Sequence, residues 1–126
     1  MKRVWIALAI LAAILCATLY HSAYLNSFTQ DLTALLEAAE AEAETGNWDK
    51  AQALTQAARD KWVRRGQYLH ITLRHDVTDD IYTGFREVWE FLECQEGGEY
   101  SAANARLIAG LELLSEAEHL TLQNIL

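Results

Sequence analysis

Proline is absent from all 126 residues. Nothing therefore locks φ or deletes an amide from a helical hydrogen-bond ladder, and the abundant Ala, Leu and Glu favour helix throughout. Glycine is scarce as well, at six residues, so breaks are expected only where it clusters with polar neighbours. Cysteine is limited to Cys16 and Cys94. One lies inside an apolar run and the other far along the chain, which excludes a disulfide framework. Cys94 is expected to be a lone thiol buried as a small apolar residue. Basic residues are few where they would matter: all 18 acidic residues follow Tyr24, with only 8 of the 10 basic ones, leaving about −10 on that part. Such a surface repels phosphate, so nucleic acid is excluded as a partner, and anionic lipid headgroups are expected to be repelled too.

Catalytic signatures are missing in the same way. There is no H-E-x-x-H, no cysteine pair at zinc spacing, no phosphate-binding glycine loop and no serine elbow. The carboxylates are many but scattered, and thin helical hairpins leave little room for a substrate pocket of roughly 300 Å³ or more. The chain is not expected to be an enzyme, and no cofactor is implied.

What is present begins at the N-terminus. Lys2 and Arg3 precede an uncharged apolar run from Val4 to Leu19. Continued to Tyr24 it gives roughly 20 residues, or about 30 Å of helix, the thickness of a bilayer's hydrocarbon core. Trp5 stands at one end and Tyr20 and Tyr24 at the other, where amphipathic rings favour the two interfaces. The next basic residue is Lys50, so the positive-inside rule puts the N-terminus in the cytoplasm and everything after Tyr24 outside the cell membrane. A cleaved signal would need small residues one and three positions before the cut. Cuts after Ala23 or Ala17 put His21 or Leu15 at the outer position, and a lipoprotein cut before Cys16 leaves Leu15 beside it. Val4 to Tyr24 is therefore read as an uncleaved transmembrane anchor, residues 1–24, with a helical domain over 25–126.

Within the domain, Leu25, Phe28, Leu32, Leu35, Ala39 and Ala43 form an apolar stripe at helical spacing, with Glu37, Glu40 and Glu44 opposite. No breaker separates this stripe from the anchor, so one helix is expected from Val4 to Glu44. Gly46-Asn47 ends it. A second helix carries Trp48, Ala51, Leu54, Ala58 and Trp62 on its core face, and Arg59, Lys61, Arg64 and Arg65 crowd its last turns, where the helix dipole favours cations. The dipole suffices to account for them; a site for an acidic partner is the alternative. Gly66 and Tyr68–His75 form a connection that is either extended or more helix. Asp76 reads as the N-cap of a third helix with Val77, Ile81, Phe85, Val88 and Leu92 as its stripe. Gly97-Gly98 breaks it, and a fourth helix presents Tyr100, Ala103, Leu107, Leu111 and Leu114 to about Ala117, with the tail Leu120–Leu126 expected to pack back. Gly46-x-Trp48-x-x-Ala51 and Gly98-x-Tyr100-x-x-Ala103 echo each other at a shift of 52 residues, each aromatic read as a wedge inside its own hairpin. That echo resembles the inter-helix turn of tetratricopeptide repeats, but the period of about 34 and the rest of that pattern are missing. The fold class read from all this is all-α: an N-terminal transmembrane helix continuing into a small bundle of two helical hairpins.

Few residues offer chemistry. His75, Asp76, Asp79 and Asp80 share a helix start and could ligate a divalent cation, against the simpler reading of helix capping balanced by Arg74. Trp89, at the edge of its stripe, is the tryptophan expected to meet a partner, with Arg64 and Arg65 as further partner-facing residues. The Leu25–Ala43 stripe has coiled-coil spacing and so offers homo-oligomerisation, although packing on the second helix of the same chain is preferred.

Several segments taken in order also resemble a known family. They are Lys2-Arg3-x-Trp5, the run Glu44-Thr-Gly-Asn-Trp48-Asp-Lys-Ala51, and Lys61-Trp62, followed by Leu73-Arg-His-Asp-x-x-Asp-Asp-Ile81 and Leu122-Gln-Asn-Ile-Leu126. Across the whole chain they are similar to domain of unknown function 4363, a family of short bacterial membrane proteins. The resemblance implies single-pass membrane placement and no known activity, substrate or cofactor. Together with the residues, it leads to an expectation of a tethered interaction module. Its partners would be the bilayer, through the N-terminal helix, and another membrane or cell-surface protein.

Overall fold

The computed structural model describes the backbone at residues 1–72 and 75–125, and side-chain surroundings for 1–65 and 77–117. Four helices account for it: α1 (Lys2–Glu44), α2 (Trp48–Thr72), α3 (His75–Glu93) and α4 (Gly97–Ile125). Each packs on two others, α1 on α2 and α4, α3 on α2 and α4, so the chain closes into a ring of two antiparallel hairpins. The expected all-α bundle behind a long apolar helix is what forms.

Both hairpins end in the same device. Gly46 N–H donates to the Ala43 carbonyl (3.0 Å) and Asn47 N–H to Glu42 (2.9 Å). Likewise Gln95 N–H donates to Leu92 and Glu96 N–H to Phe91, both at 3.1 Å. These i→i−3 and i→i−5 pairs are Schellman motifs, which satisfy the last carbonyls of α1 and α3. The motif needs a left-handed residue, and here Gly46 has φ 82° and Gln95 φ 55°. The second turn thus spans Cys94 to Glu96, not Gly97-Gly98; both glycines lie in the first turn of α4. Cys94, expected in the core, is exposed because it sits in that turn.

The turns set a structural repeat of 49 residues, which displaces the 52-residue echo. Thr29, Leu32, Leu36, Ala39 and Ala43 on α1 correspond to Thr78, Ile81, Phe85, Val88 and Leu92 on α3, all buried. Ala51, Thr55, Ala58 and Trp62 on α2 correspond to Tyr100, Asn104, Leu107 and Leu111 on α4, again all buried. Bulk is shared out rather than repeated. At the turns the second hairpin supplies the large side chains (Leu92, Tyr100) against Ala43 and Ala51, and at the far end the first supplies Phe28 and Trp62. That complementarity lets one interior be filled to native density by two unlike halves. Trp48 and Tyr100 meet edge-on across the two hairpins, with centroids 6.3 Å apart, so the two echoed aromatics also contact each other.

Other expectations need adjusting. On α1 the buried position is Leu36, with Leu35 at the rim, because α1 lies between two partners and turns Leu36 toward α4: Asn104 Nδ2 donates to the Leu36 carbonyl at 3.0 Å. Ser101 donates to Glu40 (2.7 Å) and Ser115 to Asn26 (3.0 Å), extending the same seam. The stripe offered for homo-oligomerisation is therefore covered within one chain. Of the 68–75 connection, residues up to Thr72 continue α2 as helix. Asp76 is the second residue of α3, inside the helix and not its N-cap. α4 runs past Ala117 to Ile125, while the packing of the Leu120–Leu126 side chains lies outside the described residues.

Buried polar atoms mark the bundle's interior. The Tyr100 hydroxyl, Thr55 Oγ1 and Trp62 Nε1 find no hydrogen-bond partner among the described residues. Burial, and secondarily the negative charge of Glu40, push the Tyr100 phenol up to about 12; the nearby Thr55 hydroxyl opposes the rise without closing a bond of ordinary geometry. The fold thus favours the neutral phenol. Its contribution is complete below the unfolded value near 10 and is lost as pH climbs from there toward 12.

Two outcomes are expected. Gly46→Ala should destabilise the chain by about 1 kcal/mol, and Gln95→Gly should stabilise it by roughly 0.5–1 kcal/mol, since both act on a left-handed turn position. Chemical denaturation of both variants measures the opposed signs. Tyr100→Phe should leave stability at pH 7 unchanged or slightly raised, by removing an unpaired buried hydroxyl. It should also shrink the loss of stability between pH 10 and 12. Thermal melts at pH 7 and 11, followed by tryptophan fluorescence, check this, and equal alkaline losses in both proteins would refute it.

Candidate functional site

The first half of α1 has no core to pack on. Val4, Trp5, Ile10, Leu11, Ile14 and Leu19 are all exposed, Trp5 by 72%. The second half is core from Leu25 onward. This is the one helix, among the described residues, that is long and apolar enough to cross a membrane.

At the transition an aromatic ladder leads from the core outward. Trp62, fully buried on α2, stacks on Phe28 with centroids 6.2 Å apart, and Phe28 stacks on Tyr24 at 6.4 Å. The guanidinium of Arg65 lies over the Tyr24 ring, 5.4 Å from its centroid, a cation–π contact. Arg64 and Arg65 border a cavity of about 340 Å³ together with Tyr20, His21 and Tyr24. They also border a neighbouring one of about 280 Å³ with Phe28, Asp31 and Lys61. Antiparallel packing creates this juxtaposition, since α2 descends alongside α1 toward its apolar half.

The dipole account of these cations does not survive. α2 continues to Thr72, two turns beyond Arg65, whereas the dipole's influence is confined to the last turn. Nor are they held in ion pairs among the described residues, although Asp31 lines a cavity with Lys61, Arg64 and Arg65. Toward the turns, Lys50 pairs with Glu42 at 3.2 Å, and Arg106 pairs with Glu87. Among the described residues Arg59, Lys61, Arg64 and Arg65 form no ion pair. Arg64 donates its Nε to the Asp60 carbonyl at 3.3 Å.

Trp89 belongs to a different place. It is half-buried on α3, its Nε1 donating to Glu93 at 2.8 Å, beside a groove of about 480 Å³ that also involves Arg59, Tyr82, Arg86 and Glu90. Trp89 and the Arg64–Arg65 pair thus line separate cavities. Lys61 was named in the basic cluster, whereas reading the sequence alone missed Tyr82 and Arg86 in the groove and His21 at the junction. Their signal is visible only once helix faces are known.

Of the acidic cluster, the structure describes the side-chain surroundings of Asp79 and Asp80. Asp79 and Asp80 are exposed, and the Asp79 carbonyl accepts the Thr83 hydroxyl at 3.0 Å. The side chains of His75 and Asp76 lie outside the described residues. Among the described residues, no three His, Cys, Asp or Glu side chains come together as a metal site would require.

Comparison with known proteins agrees with the fold in extent. The model of a domain of unknown function, DUF4363, matches residues 19–125, from just before the aromatic ladder to the end of α4. No curated protein and no solved structure matches the chain. The match takes in every element of the bundle and leaves out most of the apolar half of α1, and on that extent the chain belongs to the DUF4363 family.

Proposed function

We propose that this chain is a single-pass membrane protein whose N-terminus is cytoplasmic and whose helical bundle stands outside the membrane as a docking module for another membrane or cell-surface protein. The observation that carries the reading is α1 itself. One unbroken helix of 43 residues, about 65 Å long, is bare and apolar at one end and core-packed at the other. An exposed apolar surface of that extent is unfavourable in water and suits a bilayer. Lys2 and Arg3 on the N-terminal flank orient it. Because anchor and bundle share a helix, the bundle is held at a fixed height and orientation, which favours presentation of a surface over turnover of a substrate. Trp89, Tyr82, Arg59 and Arg86 supply aromatic and guanidinium groups, the residue types that dominate binding hot spots.

The native thiols test the topology. A membrane-impermeant maleimide applied to intact cells should label Cys94, which is exposed on the bundle, and Cys94→Ser should abolish the signal. Cys16, within the apolar run, should stay unlabelled. Labelling of Cys94 only after lysis would reverse the orientation. For the docking role, a photo-crosslinker at Tyr82 should give one discrete adduct that Trp89→Ala removes, while a crosslinker at exposed Glu112 should not. Adducts equal at both positions, or none, would contradict it.

A further inference from the structure

The cations of α2 that form no ion pair among the described residues lie where a membrane lipid would meet them. Tyr20 and Tyr24 end the apolar run, at the depth where aromatic rings meet phospholipid headgroups. The cavity between α1 and α2 opens at that level. The Arg65 guanidinium lies over the Tyr24 ring, 5.4 Å from its centroid, a contact that favours holding its planar fork at the cavity. Among the described residues Arg64 uses only Nε, on a backbone carbonyl, and its terminal nitrogens make no hydrogen bond. Lys61 adds a third charge in the adjoining cavity; Asp31 lines that cavity too but pairs with none of the three among the described residues. Two neighbouring guanidinium groups are suited to the oxygens of a phosphate group, which they can grip bidentately.

We propose that the cavity formed by Tyr20, His21, Tyr24, Arg64 and Arg65 seats the anionic phosphodiester headgroup of a membrane lipid. This rests on the membrane-anchored reading above. The lipid's acyl chains lie along the bare face of α1 while its phosphate sits between the guanidinium groups. Binding is one-sided. At the same end of the bundle α3 and α4 expose Asp79, Asp80, Glu112 and Glu116, which repel an anion. A single preferred lipid per chain follows, on the α2 side.

The full chain, reconstituted in vesicles of phosphatidylcholine with one-fifth phosphatidylglycerol, is first washed with alkaline carbonate and floated. It is then extracted in mild detergent, and retained lipid is read by native mass spectrometry. Wild type should float and keep one phosphatidylglycerol, with several-fold preference over phosphatidylcholine. Arg64→Gln and Arg65→Gln should each weaken that preference about five-fold, the size expected for one basic side chain at an anionic surface. Both residues are exposed, so the variants should keep the helical circular dichroism of wild type. A chain that floats but shows no preference overturns the lipid site alone, as does a preference unchanged in the double variant. Displacement of phosphatidylglycerol by millimolar inorganic phosphate would reassign the cavity to a soluble anion. A chain removed by carbonate overturns the anchor, and the lipid site with it.

Discussion

The structure depends on one constraint: α1 serves two surroundings without a break. Its apolar half needs no neighbours, and its bundle half needs two. Because the helix is unbroken between them, α2 and α4 must pack on it in whatever direction it leaves the apolar segment. Both then run back along it, α2 to Thr72 and α4 to Ile125. The antiparallel register fixes which residues descend to the level of Tyr24. The ladder Trp62–Phe28–Tyr24–Arg65 is the outcome, an interior aromatic contact carried outward to a surface cation.

The two hairpins show how an interior can repeat in position without repeating in sequence. At an offset of 49 residues the buried polar positions coincide, Thr29 with Thr78 and Thr55 with Asn104, while most apolar partners differ in size. A duplicated core filled with equal residues would leave voids at one end and overlap at the other. Unequal residues such as Ala51 and Tyr100, or Trp62 and Leu111, remove both problems. Close approach has a similar solution between α3 and α4, where a Cβ on Gly84 would come within 2.9 Å of Leu107 Cδ1.

These arrangements also explain what could be read from the residues alone. Helices, their number and the hairpin pairing were legible, because proline is absent and apolar residues recur at helical spacing. The faces of α3 and α4 were legible for the same reason. On α1 the stripe was misread at Leu35, since a helix between two partners buries a wider arc than one stripe describes. The turn at Cys94–Glu96 was hidden because Gln95, not a glycine, takes the left-handed position, and so the glycines nearby suggested the wrong offset. The extent of α2 was hidden as well, and with it the distance of Arg64 and Arg65 from the helix end. Their nearness to Tyr24 was recoverable in principle: the two lie at similar distances on either side of Gly46, so a tight hairpin brings them level.

Net charge was the least informative quantity. A value near −10 over the domain argues against anionic ligands only if the charge is spread evenly, and the fold sorts it instead. Lys50 and Arg106 are consumed by Glu42 and Glu87, whereas the cations of α2 near the apolar segment form no ion pair among the described residues, although Asp31 lines a cavity with Lys61, Arg64 and Arg65. At physiological ionic strength charges more than about 8 Å apart are largely screened. Acidic groups near the turns, many helical residues away from Arg65, therefore have little effect on an anion beside it. What such an anion meets is the local set, two guanidinium groups and an aromatic ring, with the Lys61 ammonium and the Asp31 carboxylate in the adjoining cavity. A protein acidic overall can in this way present a basic face in the one place where a headgroup would arrive.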